Sequence, residues 1–289
     1  MRQNYFNLIS ENTLSSRELM SNLNVFENEI ISGFDCSLKD LMEKYFKEYE
    51  RNSSFPTLDK LEEHIEKRSK TITEKLFFHI ELYNDFLNNV DFTAYLSEEE
   101  VESLQNHISF YKKMLLRTLE DNNHEFREID GREVVCEKNA FSRSVSEIIA
   151  SDNDSAYEAM LILDYNHFSN SKNLNRKREI LRALANYLEP QRIELNNNLI
   201  RLFSGDVQKL KFIDNLFNKF NSISIRHENE EQITLQFNEK ELKQIYDDMY
   251  NTILFLVLSR QQIIIQDKFD KDIKQRISNQ RKKGKSTQK

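Results

Sequence analysis

Glycine and proline are nearly missing from this chain, with 4 Gly and 2 Pro in 289 residues, against average usage of roughly 7% and 5%. Few positions can therefore break a helix or force a turn, and a mainly α-helical fold is expected. Tryptophan is absent, but 20 Phe and 11 Tyr supply aromatic core in its place. Only two cysteines occur, Cys36 and Cys136. Neither lies in a CxxC or Cys/His spacing that could clamp zinc, so they are read as incidental buried thiols in a reducing cytoplasm. The opening "MRQNYFNLISENTLSS" lacks the apolar run of a secretory signal. The longest apolar stretch, "TILFLVLSRQQIII" at 252–265, is interrupted by Arg260 and falls short of the roughly 20 residues that span a bilayer. A soluble, cytoplasmic protein without a membrane partner is expected. No GxGxxG, P-loop or HExxH motif occurs and no repeat is visible, so nothing calls for a metal or a cofactor.

Charge is unevenly spread. The whole chain carries −7, while residues 268–289 hold nine Lys or Arg against two Asp, a net of +7 that leaves −14 on the preceding 267 residues. This last segment, with Arg276, Arg281, Lys282, Lys283 and Lys285, has few apolar residues after Ile277 and reads as a frayed or disordered basic tail. Such a tail either neutralises phosphates on RNA or DNA or only keeps the protein soluble, since the acidic remainder repels polyanions.

Apolar spacing predicts helices over 14–33 and 37–52, parted by "GFDCS", where Gly33 stops the first and Ser37 caps the second. From Leu58 through Ile65, Ile72, Ile80 and Leu87 to Val90, helical periodicity predicts one rod of about 50 Å. Ser97 and Glu100 form a capping box ahead of a helix reaching about Asn123. The pattern changes at "EFREIDGREVVCE", where Asp130-Gly131 between alternating runs predicts a β-hairpin over 125–137 with a type I′ turn. Further helices are expected at 142–150, 154–167, 175–188, 191–203, 207–220 and 239–265. The last is capped by Asn238 and Glu241, with Leu242, Ile245, Met249, Ile253, Leu256 and Ile263 as its buried stripe. The organisation that follows is an N-terminal helical region (1–124), a hairpin seam (125–139), a C-terminal helical domain (140–266) and the basic tail (267–289).

Two places hold residue types suited to chemistry. In "RTLEDNNH", Arg117 precedes His124 with six residues between them, but Arg117 falls opposite the stripe Leu104, Ile108, Tyr111, Leu115 and Leu119 and should face solvent. A solvated helix end is the reading there. The other is "NSISIRHENEEQ" at 221–232, the tip of a short hairpin or an ordered loop. A histidine ordinarily titrates near neutral pH, so His227 could exchange a proton with a ribose hydroxyl, while Arg226 could grip the phosphate. The adjoining carboxylates oppose this, and Arg226 and Asn229 could equally cap or bridge helices.

Three segments in order, "LANYLEPQRIEL" (184–195), "LFNKFNSISIRHENEEQ" (216–232) and the aromatic helix "YDDMYNTILFLVL", resemble the C-terminal part of HEPN-like bacterial proteins linked to abortive infection. The resemblance covers roughly residues 154–265. It implies an all-helical, commonly homodimeric domain in an antiphage-defence or toxin-like setting, with RNA as target and metal-independent cleavage as activity. Arg226 and His227 would be the catalytic pair, and Asn229 and Gln232 would orient the substrate. One departure stands: HEPN ribonucleases separate Arg from His by four to six residues, whereas Arg226 and His227 are adjacent. The other classes are a non-catalytic scaffold that recruits a protein partner through its N-terminal helices, and a nucleic-acid binder that uses only its tail.

Overall fold

The computed structural model describes residues 14–49, 54–93, 96–151, 155–203, 211–223, 225 and 237–286, and of 278–286 the backbone alone. Among these the protein is a mainly α-helical bundle with one small β-hairpin. The chain forms two compact units, one of residues 1–138 with 166–169 and one of 139–165 with 170–289.

The first unit holds α1 (Ser16–Glu27), α2 (Leu38–Tyr45), α3 (Leu58–Arg68), α4 (Ile72–Asn89), α5 (Glu98–Asp121) and strands β1 (His124–Ile129) and β2 (Arg132–Glu137). Reciprocal capping boxes start three of its helices, at Ser15 with Glu18, Ser37 with Asp40 and Ser97 with Glu100, each satisfying donors that the helix itself leaves open. α4 is the central element: α1, α3, α5 and β2 all pack on it, and Leu76, Ile80, Tyr83 and Phe86 are fully covered. The hairpin forms as its sequence predicts. Asp130 and Gly131 have φ of 52° and 67°, as a type I′ turn requires, and the register runs from His124 opposite Glu137 to Ile129 opposite Arg132.

The single rod expected over 58–90 is two helices. Its apolar period continues across the break, but Ser69 Oγ bonds back to the Ile65 carbonyl at 2.7 Å and Thr71 Oγ accepts from Glu74 N at 3.1 Å. These hydroxyls end one helix and cap the next, a local competition with the helical ladder that hydrophobic periodicity does not register. The first helix is also shorter than 14–33. Asn28 closes it through its side-chain amide on the Asn24 carbonyl, and Gly33, at φ 86°, lies in the turn beyond.

The second unit holds α6 (Ser142–Ala150), α7 (Ala156–Asp164), α8 (Leu174–Leu188), α9 (Arg192–Phe203), α10 (Phe212–Ser222) and α11 (Glu239–Ser286). Pro190 sits in the one-turn 3-10 connection Glu189–Gln191. α11 packs on α6, α8 and α9, so its buried face is wider than one stripe. Met249, Ile253, Leu256 and Ile263 are buried as expected, joined by Tyr246, Tyr250, Leu254 and Val257, while Leu242 and Ile245 are half-buried. Sequence pattern ends this helix near Ile265 in a frayed tail; the structure carries it to Ser286. No proline follows and the first glycine is Gly284, and the late lysines and arginines complement the negative end of the helix dipole. Among the described residues no helix is long and apolar enough to cross a membrane.

Candidate functional site

Arg226, His227, Asn229 and Gln232 lie outside the described residues, but the approach to them is defined. After α10 the chain seals itself with Ile223 and Ile225, 6% and 0% exposed, so the alternation in "SISI" marks apolar pegs at 223 and 225. Ile225 N–H donates to the Phe220 carbonyl at 3.0 Å, and its own carbonyl accepts from Arg182 Nε. Arg182 on α8 thus fixes the residue directly before Arg226. Sequence reading gave it no role, because its partner is a backbone carbonyl 43 positions away. One turn earlier, Arg178 has its Nε buried without a hydrogen-bond partner among the described residues, and its charge acts on the Tyr246 hydroxyl. α8 therefore sets two guanidinium groups on one side at i, i+4.

Of the basic positions, Arg276 is exposed. Arg281, Lys282, Lys283 and Lys285 continue the same helix. Every residue from Lys268 to Ile277 is exposed, and the last buried one is Ile263. Nearer the core, α11 is pinned by Arg260 to Glu194 and by Arg201 to Asp267. Asp247 meets Lys177, Lys243 and the Tyr165 hydroxyl at 2.6, 2.9 and 2.9 Å. Burial alone would raise the Asp247 carboxyl, but these donors outweigh it and hold it below the usual range. Lys177 is itself buried, with its ammonium 4.3 Å above the Tyr165 ring, so the cluster acts as an internal tie between α8 and α11.

Arg117 and His124 do not form a pair. Arg117 is exposed on α5, whereas His124 opens β1 with its ring 4.3 Å from that of Phe77 and Nδ1 on the Asn122 carbonyl. Burial pushes its imidazole below the ordinary value.

The first unit contains a cleft of about 470 Å³ that sequence reading missed. α1 supplies Glu27 and Asn24, α4 supplies His79 and Lys75, and α2 supplies Lys39. The acids Asp59, Glu62, Glu63 and Glu66 all come from α3. Glu27 is 1% exposed and accepts from His79 Nε2 at 2.7 Å and from the Tyr111 hydroxyl. His79 stacks on Tyr83 at 4.1 Å, and the Tyr83 hydroxyl donates to Glu62 at 2.9 Å. Burial, reinforced by the charge of Glu27, raises both the Tyr83 and Tyr111 hydroxyls far above their usual range, so both remain neutral donors. In the tautomer that carries its proton on Nε2, His79 donates to Glu27.

No group of three or more His, Cys, Asp or Glu among the described residues is arranged to hold a metal ion. The two cysteines form no disulfide; Cys136 is buried and Cys36 only half-buried. No protein-family model matches the chain, no curated protein matches it, and no solved structure matches it.

Proposed function

We propose that the protein engages RNA through the basic end of α11 and that the segment holding Arg226 and His227 cleaves RNA without a metal, as in a defence or toxin-like ribonuclease. The observation that carries the binding step is the continuation of α11 past its last buried residue into a stretch where Lys274, Arg276, Arg281, Lys282, Lys283 and Lys285 occur with no acid. At 1.5 Å per residue the first of these lies about 16 Å along the axis from Ile263 and the last about 33 Å. The Debye length at physiological salt is about 8 Å, so the acids around the start of α11 are screened there while the local cations attract phosphate. The cleavage step rests on the resemblance of residues 154–265 to HEPN-like proteins. In it His227 is general acid or base, Arg226 holds the phosphate, and Asn229 and Gln232 orient the substrate.

Fluorescence anisotropy with labelled single-stranded RNA tests the binding step: removal of residues 268–289 should abolish salt-sensitive binding, and unchanged binding would overturn it. A gel assay in excess EDTA tests the chemistry. His227→Ala should stop cleavage at an unchanged melting temperature, and intact RNA with wild-type protein would leave a binder only. The homodimer implied by the resemblance is read by light scattering on the same samples. A second reading, a scaffold that recruits a protein through its N-terminal helices, is favoured by Val25 and Phe110, 70% and 55% exposed on α1 and α5, helices that pack together. It requires His227→Ala to leave function intact.

A further inference from the structure

We infer that the guanidinium group of Arg178 is the receptor for a phosphoryl oxyanion, with the Arg182 guanidinium and the Tyr246 hydroxyl beside it. Three observations converge. The first is pairing along α8. Arg176 meets Asp164 at 2.6 Å and Glu179 at 3.3 Å, and Lys177 meets Asp247 at 2.6 Å. Arg178, the next residue, makes neither a hydrogen bond nor an ion pair among the described residues, and Arg182 is bonded to a backbone carbonyl rather than to a carboxylate. In a chain of net charge −7, two neighbouring guanidinium groups thus stand without an acid.

The second is burial. Arg178 is half-buried, and of its three nitrogens only Nε is sealed from water without a partner. The terminal nitrogens, which also lack a partner, therefore stay open to a ligand. A guanidinium drawn partly out of water with no counter-charge is unfavourable, and an anion on its open edge relieves that cost.

The third is the setting. Arg182 follows one turn later on the same side of α8, with Nε fixed on the Ile225 carbonyl. Tyr246 on α11 is 2% exposed; burial pushes its hydroxyl up and the charge of Arg178 draws it partly back, so it stays protonated and able to donate. Donors thus come from two helices. A guanidinium grips an oxyanion through two parallel N–H bonds. Two such cations and a hydroxyl match a doubly charged tetrahedral phosphoryl group, whereas a carboxylate brings one charge and two oxygens. None of this rests on cleavage by the Arg226 segment.

Isothermal titration calorimetry of the full-length protein with inorganic phosphate tests the site, against sodium acetate at matched ionic strength in chloride. Saturable 1:1 binding of phosphate is expected, with acetate silent. Arg178→Gln should weaken phosphate at least about tenfold. Arg178→Lys, which keeps the charge and loses the fork, should weaken it less, and Tyr246→Phe, which removes only the hydroxyl, by about threefold. Circular dichroism melts check that the folds match. No saturable heat from phosphate, equal binding of acetate, or undiminished binding in Arg178→Gln would each overturn the inference. Phosphate binding should survive in Arg281→Gln/Lys282→Gln/Lys285→Gln, which separates this site from the basic end of α11. Anisotropy with labelled single-stranded RNA identifies the source of the phosphoryl group: RNA affinity that falls in Arg178→Gln assigns the site to a backbone phosphate, and unchanged RNA affinity assigns it to a free phosphorylated small molecule.

Discussion

If the end of α11 meets RNA as a helix, its cations do not act as an undifferentiated cloud. Lys274, Arg281 and Lys285 stand at i, i+7 and i+11 and share one side of the helix, with Lys282 about 80° away; Arg276 and Lys283, at i and i+7, occupy the opposite side. One bound strand then engages four positive charges. Each phosphate neutralised on a single strand contributes about −0.7 to the slope of log affinity against log salt. Four give a slope of about −2.8, or a loss of about 50-fold between about 50 and 200 mM KCl. The variant Arg281→Gln/Lys282→Gln/Lys285→Gln leaves one contact, a slope of about −0.7 and a loss of about threefold over the same range.

Arg276→Gln/Lys283→Gln is the matched test from the other side. It should leave the slope within about 0.5 of wild type, because those residues do not share the bound face. Anisotropy of a labelled single-stranded RNA across a KCl series measures all three proteins. Slopes that depend only on how many cations remain, and not on which face they occupy, would refute binding as a helix.

Four other outcomes are expected. Replacing His79 by Ala removes one of the two hydrogen-bond donors to buried Glu27 and leaves it with the Tyr111 hydroxyl, so the first unit should lose about 1–3 kcal/mol, read by urea denaturation; no measurable loss would mean water reaches Glu27. Thr71→Ala should cost about 1 kcal/mol by the same assay, since its hydroxyl caps α4 at Glu74 N, and no loss would mean that 58–90 prefers to run as one helix. His124 and His107 are both held below the ordinary 6.5, in each case chiefly by burial, so the unfolded chain takes up their protons first. The stability they contribute is complete above about pH 6.5 and falls as pH drops through the folded values; His124→Gln should flatten melting temperature against pH in that window. Gly131→Val puts a β-branched side chain at φ 67° and should destabilise the hairpin by at least about 1 kcal/mol.

Local chemistry was the legible part of this fold. Asp130-Gly131 announces its turn because few residue pairs accept two positive φ values in succession. The Ser-x-x-acid starts at 15, 37 and 97 announce helices because the side chains that close them lie within one turn. The break at Ser69 to Thr71 was hidden because Ile65, Ile72 and Leu76 keep helical spacing across it, and binary pattern registers burial but not hydroxyls that compete for the backbone. The end of α11 was hidden for the reverse reason. Loss of apolar residues after Ile277 resembles fraying, yet a run of lysine and arginine at a C-terminus favours the helix.

The cleft was illegible for a deeper reason. Each of its parts has an ordinary local explanation: the acids of α3 look like a solvated helical face, His79 falls within an apolar stripe, and Glu27 is a lone acid near a helix end. Only the packing of α1, α3 and α5 on α4 joins them. It sets His79 against a carboxylate 52 positions earlier and Tyr111 against the same carboxylate across 84. Those separations exceed any local motif, and so does the 43-residue reach of Arg182 to Ile225. Arg226 and His227 drew notice because they are adjacent in sequence, yet adjacent side chains diverge by about 100° on a helix and about 180° on a strand. The groups that actually converge do so through tertiary contact. Any catalytic reading of Arg226 and His227 must therefore recruit such a contact, and Arg182, anchoring the residue immediately before them, is where to look for it: Arg182→Gln should lower RNA cleavage through kcat with KM unchanged, and equal cleavage would show that the segment needs no anchor.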